Sequence, residues 1–138
     1  MGTIFIVPVR HKVWTALAFV ALAAIAVAVP AIGVLAGAPT VVLASEIPSM
    51  LGAGSLSIDP LAAIFLLIIA VAGVATLLYS RGYIAPYLKK KSSAHISLHY
   101  TALAVLVLSM MLVVMADGGF LFLFAWELMT IASFLLIL

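Results

Sequence analysis

Glu127 is a carboxylate in a place where carboxylates are expensive. It stands in residues 120–138, a run otherwise made of apolar, aromatic and small residues. It follows Gly119 by eight residues, about 12 Å along a helix axis at 1.5 Å per residue. A span starting there puts Glu127 near the middle of a bilayer. A carboxylate at that depth costs about 2.5–3.5 kcal/mol on insertion scales. Such groups usually face a bundle interior or a wet cavity and serve proton or ion pathways. Burial favours the neutral acid and a nearby cation favours the anion. A carboxyl held between those influences can load and release a proton. By helical spacing, Phe120, Leu123, Phe124, Thr130, Ile131 and Phe134 share or border its face, and only Thr130 among them is polar. No Lys or Arg lies at that depth, so a partner comes from outside this chain or from water. The competing reading is a structural Glu that pairs with a polar group on another helix.

His99 is the second candidate. It falls at the start of a span, with His95 just before it. A histidine at that mouth can relay protons, although an ordinary interfacial histidine fits the same position. His11, between Arg10 and Lys12, reads as a topology marker. The three histidines have no zinc-like spacing, and we expect no metal and no cofactor. Asp59 precedes Pro60 and reads as a helix cap. Asp117 reads as a turn residue, Glu46 as part of a polar loop, and Met110, Met111 and Met115 as packing residues. No nucleophile, histidine and carboxylate set is present, nor a glycine-rich phosphate loop.

The elements that must position Glu127 are membrane spans. Of the 138 residues, 68% are hydrophobic and 7% charged, with a mean hydropathy of +1.47, too little charge to cover a soluble domain. The apolar residues come in runs long enough to cross a bilayer. We expect an all-α, polytopic membrane protein with four spans in a single membrane domain, at about 13–35, 60–79, 98–116 and 120–138. Pro30 is expected to kink the first span or end it early. A cleaved signal peptide is the rival reading of that first run, with Ala36-Gly37-Ala38 as its cleavage site, but the run exceeds a usual h-region. Gly33-x-x-x-Gly37 could bring two helices close. Residues 39–58 read as an external loop with a short interfacial segment at Thr40 to Ala44. Asp117-Gly118-Gly119 reads as a tight turn. The absence of cysteine excludes disulfides and thiolate chemistry. No basic face interleaved with aromatics suggests nucleic acid.

All six Lys and Arg fall in two places: Arg10 and Lys12 before the first span, and Arg81 with Lys89, Lys90 and Lys91 between the second and third. Basic loops stay in the cytoplasm, so both termini are expected there, in a multi-pass protein of the cytoplasmic (inner) membrane. Lys89 to Lys91 would meet anionic headgroups. The chain stops inside an apolar run with no interfacial anchor, so we read it as the first part of a longer subunit.

From Ser57 to Leu138 the chain resembles a known family. The residues are Ser57-Ile58-Asp59-Pro60-Leu61 opening a span and Leu78-Tyr79-Ser80 with Tyr83 at its exit. Ser109-Met110 and Met115-Ala116-Asp117 follow, then Phe124-Ala125-Trp126-Glu127-Leu128-Met129 and Ser133. Their order is similar to the opening helices of the antiporter-like, proton-translocating membrane subunits of respiratory complex I, energy-converting hydrogenases of the formate hydrogenlyase type, and multisubunit cation/proton antiporters. The Leu-Tyr-Ser stretch leans toward the hydrogenase type. The resemblance implies that Glu127 belongs to a proton pathway and meets a lysine on a later helix. It also implies partners: other membrane subunits and a peripheral redox arm whose electron transfer drives the protonation changes. The later lysine, broken helices and second half of a family member have no counterpart here.

Two other readings remain open. One is a complete small four-helix proton-coupled exporter working as a dimer, although small multidrug exporters carry their glutamate in the first span. The other is a structural or assembly subunit.

The charge pattern predicts that a phosphatase reporter is active when fused in residues 48–53 and inactive after Leu138, with a fluorescent-protein reporter showing the reverse. Activity on the opposite sides would invert the topology.

Overall fold

The computed structural model describes residues 12–47, 54–84 and 93–137. Arg10, His11, Lys89, Lys90 and Lys91 lie outside the described residues. Four helices account for most of the chain: α1 (Lys12–Leu35), α2 (Pro60–Ile84), α3 (Ser93–Met115) and α4 (Gly119–Ile137). Each is long and apolar enough to cross a membrane. The protein is a helical, multi-pass membrane protein. In hydrocarbon every backbone N–H and C=O needs a partner within the protein, and a helix supplies them from its own segment.

Pro30 lies inside α1, which continues to Leu35. The expected early stop does not occur. Proline removes one hydrogen bond, a loss that membrane helices tolerate. Glycine ends the helix instead. Gly37 takes φ +100°, its N–H donates to the Val34 carbonyl at 3.1 Å, and Ala38 N–H donates to the Gly33 carbonyl at 3.0 Å. This is a Schellman cap, which needs a residue in the left-handed region and returns N–H groups to the last free carbonyls.

Residues 39–58 are not a simple loop. β1 (Val41–Ile47) and β2 (Gly54–Ile58) form an antiparallel pair, and β2 also pairs antiparallel with β3 (Ala116–Asp117). The strand order is β1-β2-β3. Val41 opposes Ile58 and Val42 opposes Ser57, while Leu56 opposes Ala44 on one side and Ala116 on the other. Ile58 is fully buried, and Val41 and Leu56 pack against the core. The sheet therefore seals one end of the bundle. Asp117 has a second role besides turning the chain, because Ser55 Oγ donates to its Oδ2 at 3.2 Å. The turn glycine is Gly118, with φ +148°.

Asp59 caps α2 as its position predicts. Its Oδ1 accepts a hydrogen bond from Ala62 N–H at 2.6 Å. This satisfies a donor that the first turn leaves free, while Pro60 has no N–H to satisfy. At its far end α2 runs past Tyr79 to Ile84, and α3 begins at Ser93, five residues before Leu98. Polar residues at those ends mark the region where a helix leaves hydrocarbon, not where it stops.

α1, α2 and α3 pack against one another, and α4 joins mainly through α3. The α1 stripe is Ala16, Val20, Ala24, Val27, Ala31 and Val34, and the α3 stripe includes Ile96, Tyr100, Leu103, Val107 and Met111. Steps of three and four keep each stripe on one face. Small residues allow close approach between membrane helices, and the tightest case is Gly73 on α2. A Cβ there would lie 2.6 Å from Val107 Cγ1 on α3. Gly33 and Gly37 have no such neighbour within 4 Å, so Gly33-x-x-x-Gly37 is not a contact motif within this bundle.

Gly73→Ala should therefore destabilise the bundle by about 1–3 kcal/mol, the usual range for overpacking. Val107→Ala on the same background should recover part of the loss. Thermal unfolding in detergent reads both, and a neutral Gly73→Ala would show that the helices can separate there at no cost.

Candidate functional site

α4 turns one narrow stripe inward. Its two buried residues are Ala125 and Ala132, seven apart and so on one face. Glu127 is two positions beyond Ala125, about 200° around the helix. It is exposed, pointing away from α3. That rotation turns Glu127 away from the other three helices, the side from which a partner outside this chain or water would reach it. Phe120, Leu123, Phe124, Ile131 and Phe134 are exposed beside it, as is Thr130. The face that helical spacing groups around Glu127 is thus the outer face of the bundle. Along its axis Glu127 is eight residues from Gly119 and ten from Ile137, close to the middle of α4.

The polar groups near Glu127 are partly committed. Thr130 Oγ1 donates to the Trp126 carbonyl at 3.1 Å, and Ser133 Oγ donates to the Thr130 carbonyl at 2.9 Å. Each hydroxyl has one hydrogen, so neither donates to the carboxylate in this arrangement. Trp126 is 49% exposed and lies against Phe122 with ring centroids 5.6 Å apart. An indole at this depth is away from the interfacial belts that Trp usually favours. The outer surface of α4 therefore presents a carboxylate beside an indole at the level of the hydrocarbon.

His99 is half-buried on α3, and its ring meets that of Tyr100 edge-on at 5.6 Å. Because α3 starts at Ser93, His99 lies in the second turn, deeper than the first-turn position expected. α3 and α4 are joined by a short link through Ala116–Asp117. Measured from that link, His99 lies about 24 Å along α3 and Glu127 about 12 Å along α4 at 1.5 Å per residue. Their axial separation, roughly 12 Å, exceeds the reach of a direct proton hand-over. The structure does not bring the two candidates into contact.

A second polar group, not singled out from the sequence, lies between α2 and α3. Tyr100 and Ser80 are both buried and their side chains are hydrogen-bonded. Ser80 Oγ also donates to the Leu77 carbonyl at 2.9 Å. Ser97 is fully buried, and Thr101 Oγ1 is buried with no hydrogen-bond partner. Ser97, Tyr100 and Thr101 stand at i, i+3 and i+4, a spacing that could have revealed a shared face. They occupy the half of the bundle nearest the basic connection. Among the described residues, no group of three His, Asp or Glu is placed to hold a metal ion.

No protein-family model, curated protein or solved structure matches this chain.

The outward carboxylate makes a measurable demand on insertion. Glu127→Leu should make α4 of this chain insert more favourably by about 2.5–3.5 kcal/mol, the cost of an uncovered mid-membrane acid. A glycosylation-site insertion assay reads the change. No gain would mean that the wild-type carboxylate already escapes the hydrocarbon.

Proposed function

We propose that this chain is the N-terminal portion of a proton-translocating membrane subunit of a redox-driven complex, of the hydrogenase or NADH dehydrogenase type, with Glu127 in the proton pathway. The carrying observation is the position of Glu127 at mid-depth on the outer face of α4. A carboxylate there is supported once protein or an internal water path covers it. The motifs from Ser57 to Ser133, which resemble the opening helices of such subunits, support the same reading.

The chemistry is one of gain and loss of a proton at the Glu127 carboxyl. In a dry setting the neutral acid is favoured. A cationic group brought beside it favours the anion, and the proton leaves for the next acceptor. A redox arm acting through neighbouring membrane subunits would supply the energy that moves that cation or opens access. In this reading the membrane is the cytoplasmic one, with both termini on the cytoplasmic side. His99 lies toward the basic end and is a relay candidate there, connected to Glu127 only through intervening groups or water.

Glu127→Gln keeps the size and removes the titration. In the assembled complex it should leave membrane assembly intact and lower proton translocation by about a hundredfold or more, the range for losing a proton-transfer group. Glu127→Asp should retain part of the activity. Loss of assembly with normal coupling in the complexes that form would instead make Glu127 a structural partner. Drug resistance conferred by the chain alone would favour a small exporter.

A further inference from the structure

We infer that the outward side of β1, formed by Val42 and Leu43, is a lipid-interface foot that rests in the headgroup–acyl boundary at the end of the bundle sealed by the sheet. The argument begins with the register. Val41 opposes Ile58, Val42 opposes Ser57, and the next pair is Ala44 with Leu56. Two steps along β1 match one along β2, so Leu43 is the extra residue of a bulge. Regular alternation would send Val42 outward and Leu43 back toward the side where Val41 packs on the core. A bulge re-aims a side chain, and here both residues are turned out: Val42 is 58% and Leu43 48% exposed.

Two adjacent large aliphatic side chains on a short strand are poorly placed in water. They stand beyond the end of α1, a helix long and apolar enough to cross a membrane. The opposite side of the sheet is packed on the helices through Val41, Leu56 and Ile58, so the strands lie against the bundle end. Ile58 directly precedes the capping Asp59 and the first residue of α2. The last turns of α1 carry Ile32, 57% exposed, and Leu35, also exposed and three residues on. The Schellman cap then turns the chain, and Val42 follows seven residues after Leu35. The exposed apolar turns at the end of α1 are thus followed within a few residues by a second exposed apolar pair, a short enough step for that pair to reach the interfacial layer, which adds roughly 5–7 Å on each side of the hydrocarbon.

Charge specifies the kind of lipid contact. Glu46, Asp59 and Asp117 belong to this end, and no Lys or Arg occurs between Val13 and Ser80. Basic residues are what draw interfacial segments to anionic lipids. The foot is therefore held by apolar burial and is indifferent to headgroup charge.

The chain has no cysteine, so single labels can be placed cleanly. Val42→Cys and Leu43→Cys carry a bimane fluorophore, with Ile25→Cys as a deep-membrane control on α1. The full chain is placed in phosphatidylcholine vesicles, with and without phosphatidylglycerol. Spin-labelled lipid bearing its nitroxide near the headgroup should at least halve emission at both sites. Iodide should have little effect, and the two lipid compositions should agree. Strong quenching by iodide with none from the lipid would put the sheet face in water and overturn the inference. Protection from both quenchers would mean that protein covers the face, which also overturns it. Lipid quenching that appears only with phosphatidylglycerol would contradict the apolar mode of binding.

Discussion

The structure depends on the rule that no backbone polar group goes unpaired in hydrocarbon. The four helices meet it internally along their length, so the difficult places are their ends. Each end resolves the problem differently. α1 closes on Gly37 and returns two N–H groups to its last carbonyls. α2 opens on the Asp59 carboxylate and Pro60. The connections at one end pair with each other as a small sheet. Proline at position 30 is absorbed within a helix whose neighbours hold it in place.

Charge is sorted with equal economy. All six Lys and Arg lie at or before the first residue of α1, or between the last turn of α2 and the start of α3, while Glu46, Asp59 and Asp117 belong to the sheet end. Glu127 alone stands between the two sets. It is also turned away from the three helices that form the main core, and only Ala125 and Ala132 of its helix are buried against neighbours. The bundle therefore supplies depth and rigidity to the carboxylate but not its covering. The polar strip of Ser80, Ser97, Tyr100 and Thr101 lies elsewhere, between α2 and α3 and nearer the basic connection. The two features are separate parts of the molecule.

Much of this was legible in the residues. The spans at 13–35 and 120–138 agree with α1 and α4 to within a residue, because long apolar runs have one stable backbone solution in lipid. The Asp59-Pro60 pair announced the start of α2 for a local reason. What was missed depends on distant partners. β2 is completed by Ala116–Asp117, nearly sixty residues later, and nothing in Pro39 to Ile58 reveals that pairing. Glycines and serines there suggested a loop, although Val41, Val42 and Ile47 are good strand formers. The facing of Glu127 was also hidden, since a helix apolar all around has no moment to orient it. Ala125 and Ala132, the smallest residues at heptad spacing, were the available clue. In the same way Gly73 mattered, not Gly33, because Val107 stands opposite it.

The sheet has a consequence for how the protein is made. β1 and β2 can zip as soon as the first connection has been made, but the second edge of β2 then waits for β3. That edge is satisfied only after α3 has been synthesised and threaded and Ala116–Asp117 has arrived on the same side. The two helical hairpins, α1–α2 and α3–α4, are thus latched by backbone pairing in an order set by translation. Ser55 and Asp117 close the latch with a side-chain hydrogen bond. Until that moment the first hairpin carries an open strand edge outside the bilayer, and biogenesis has to protect it through the synthesis of one whole further span.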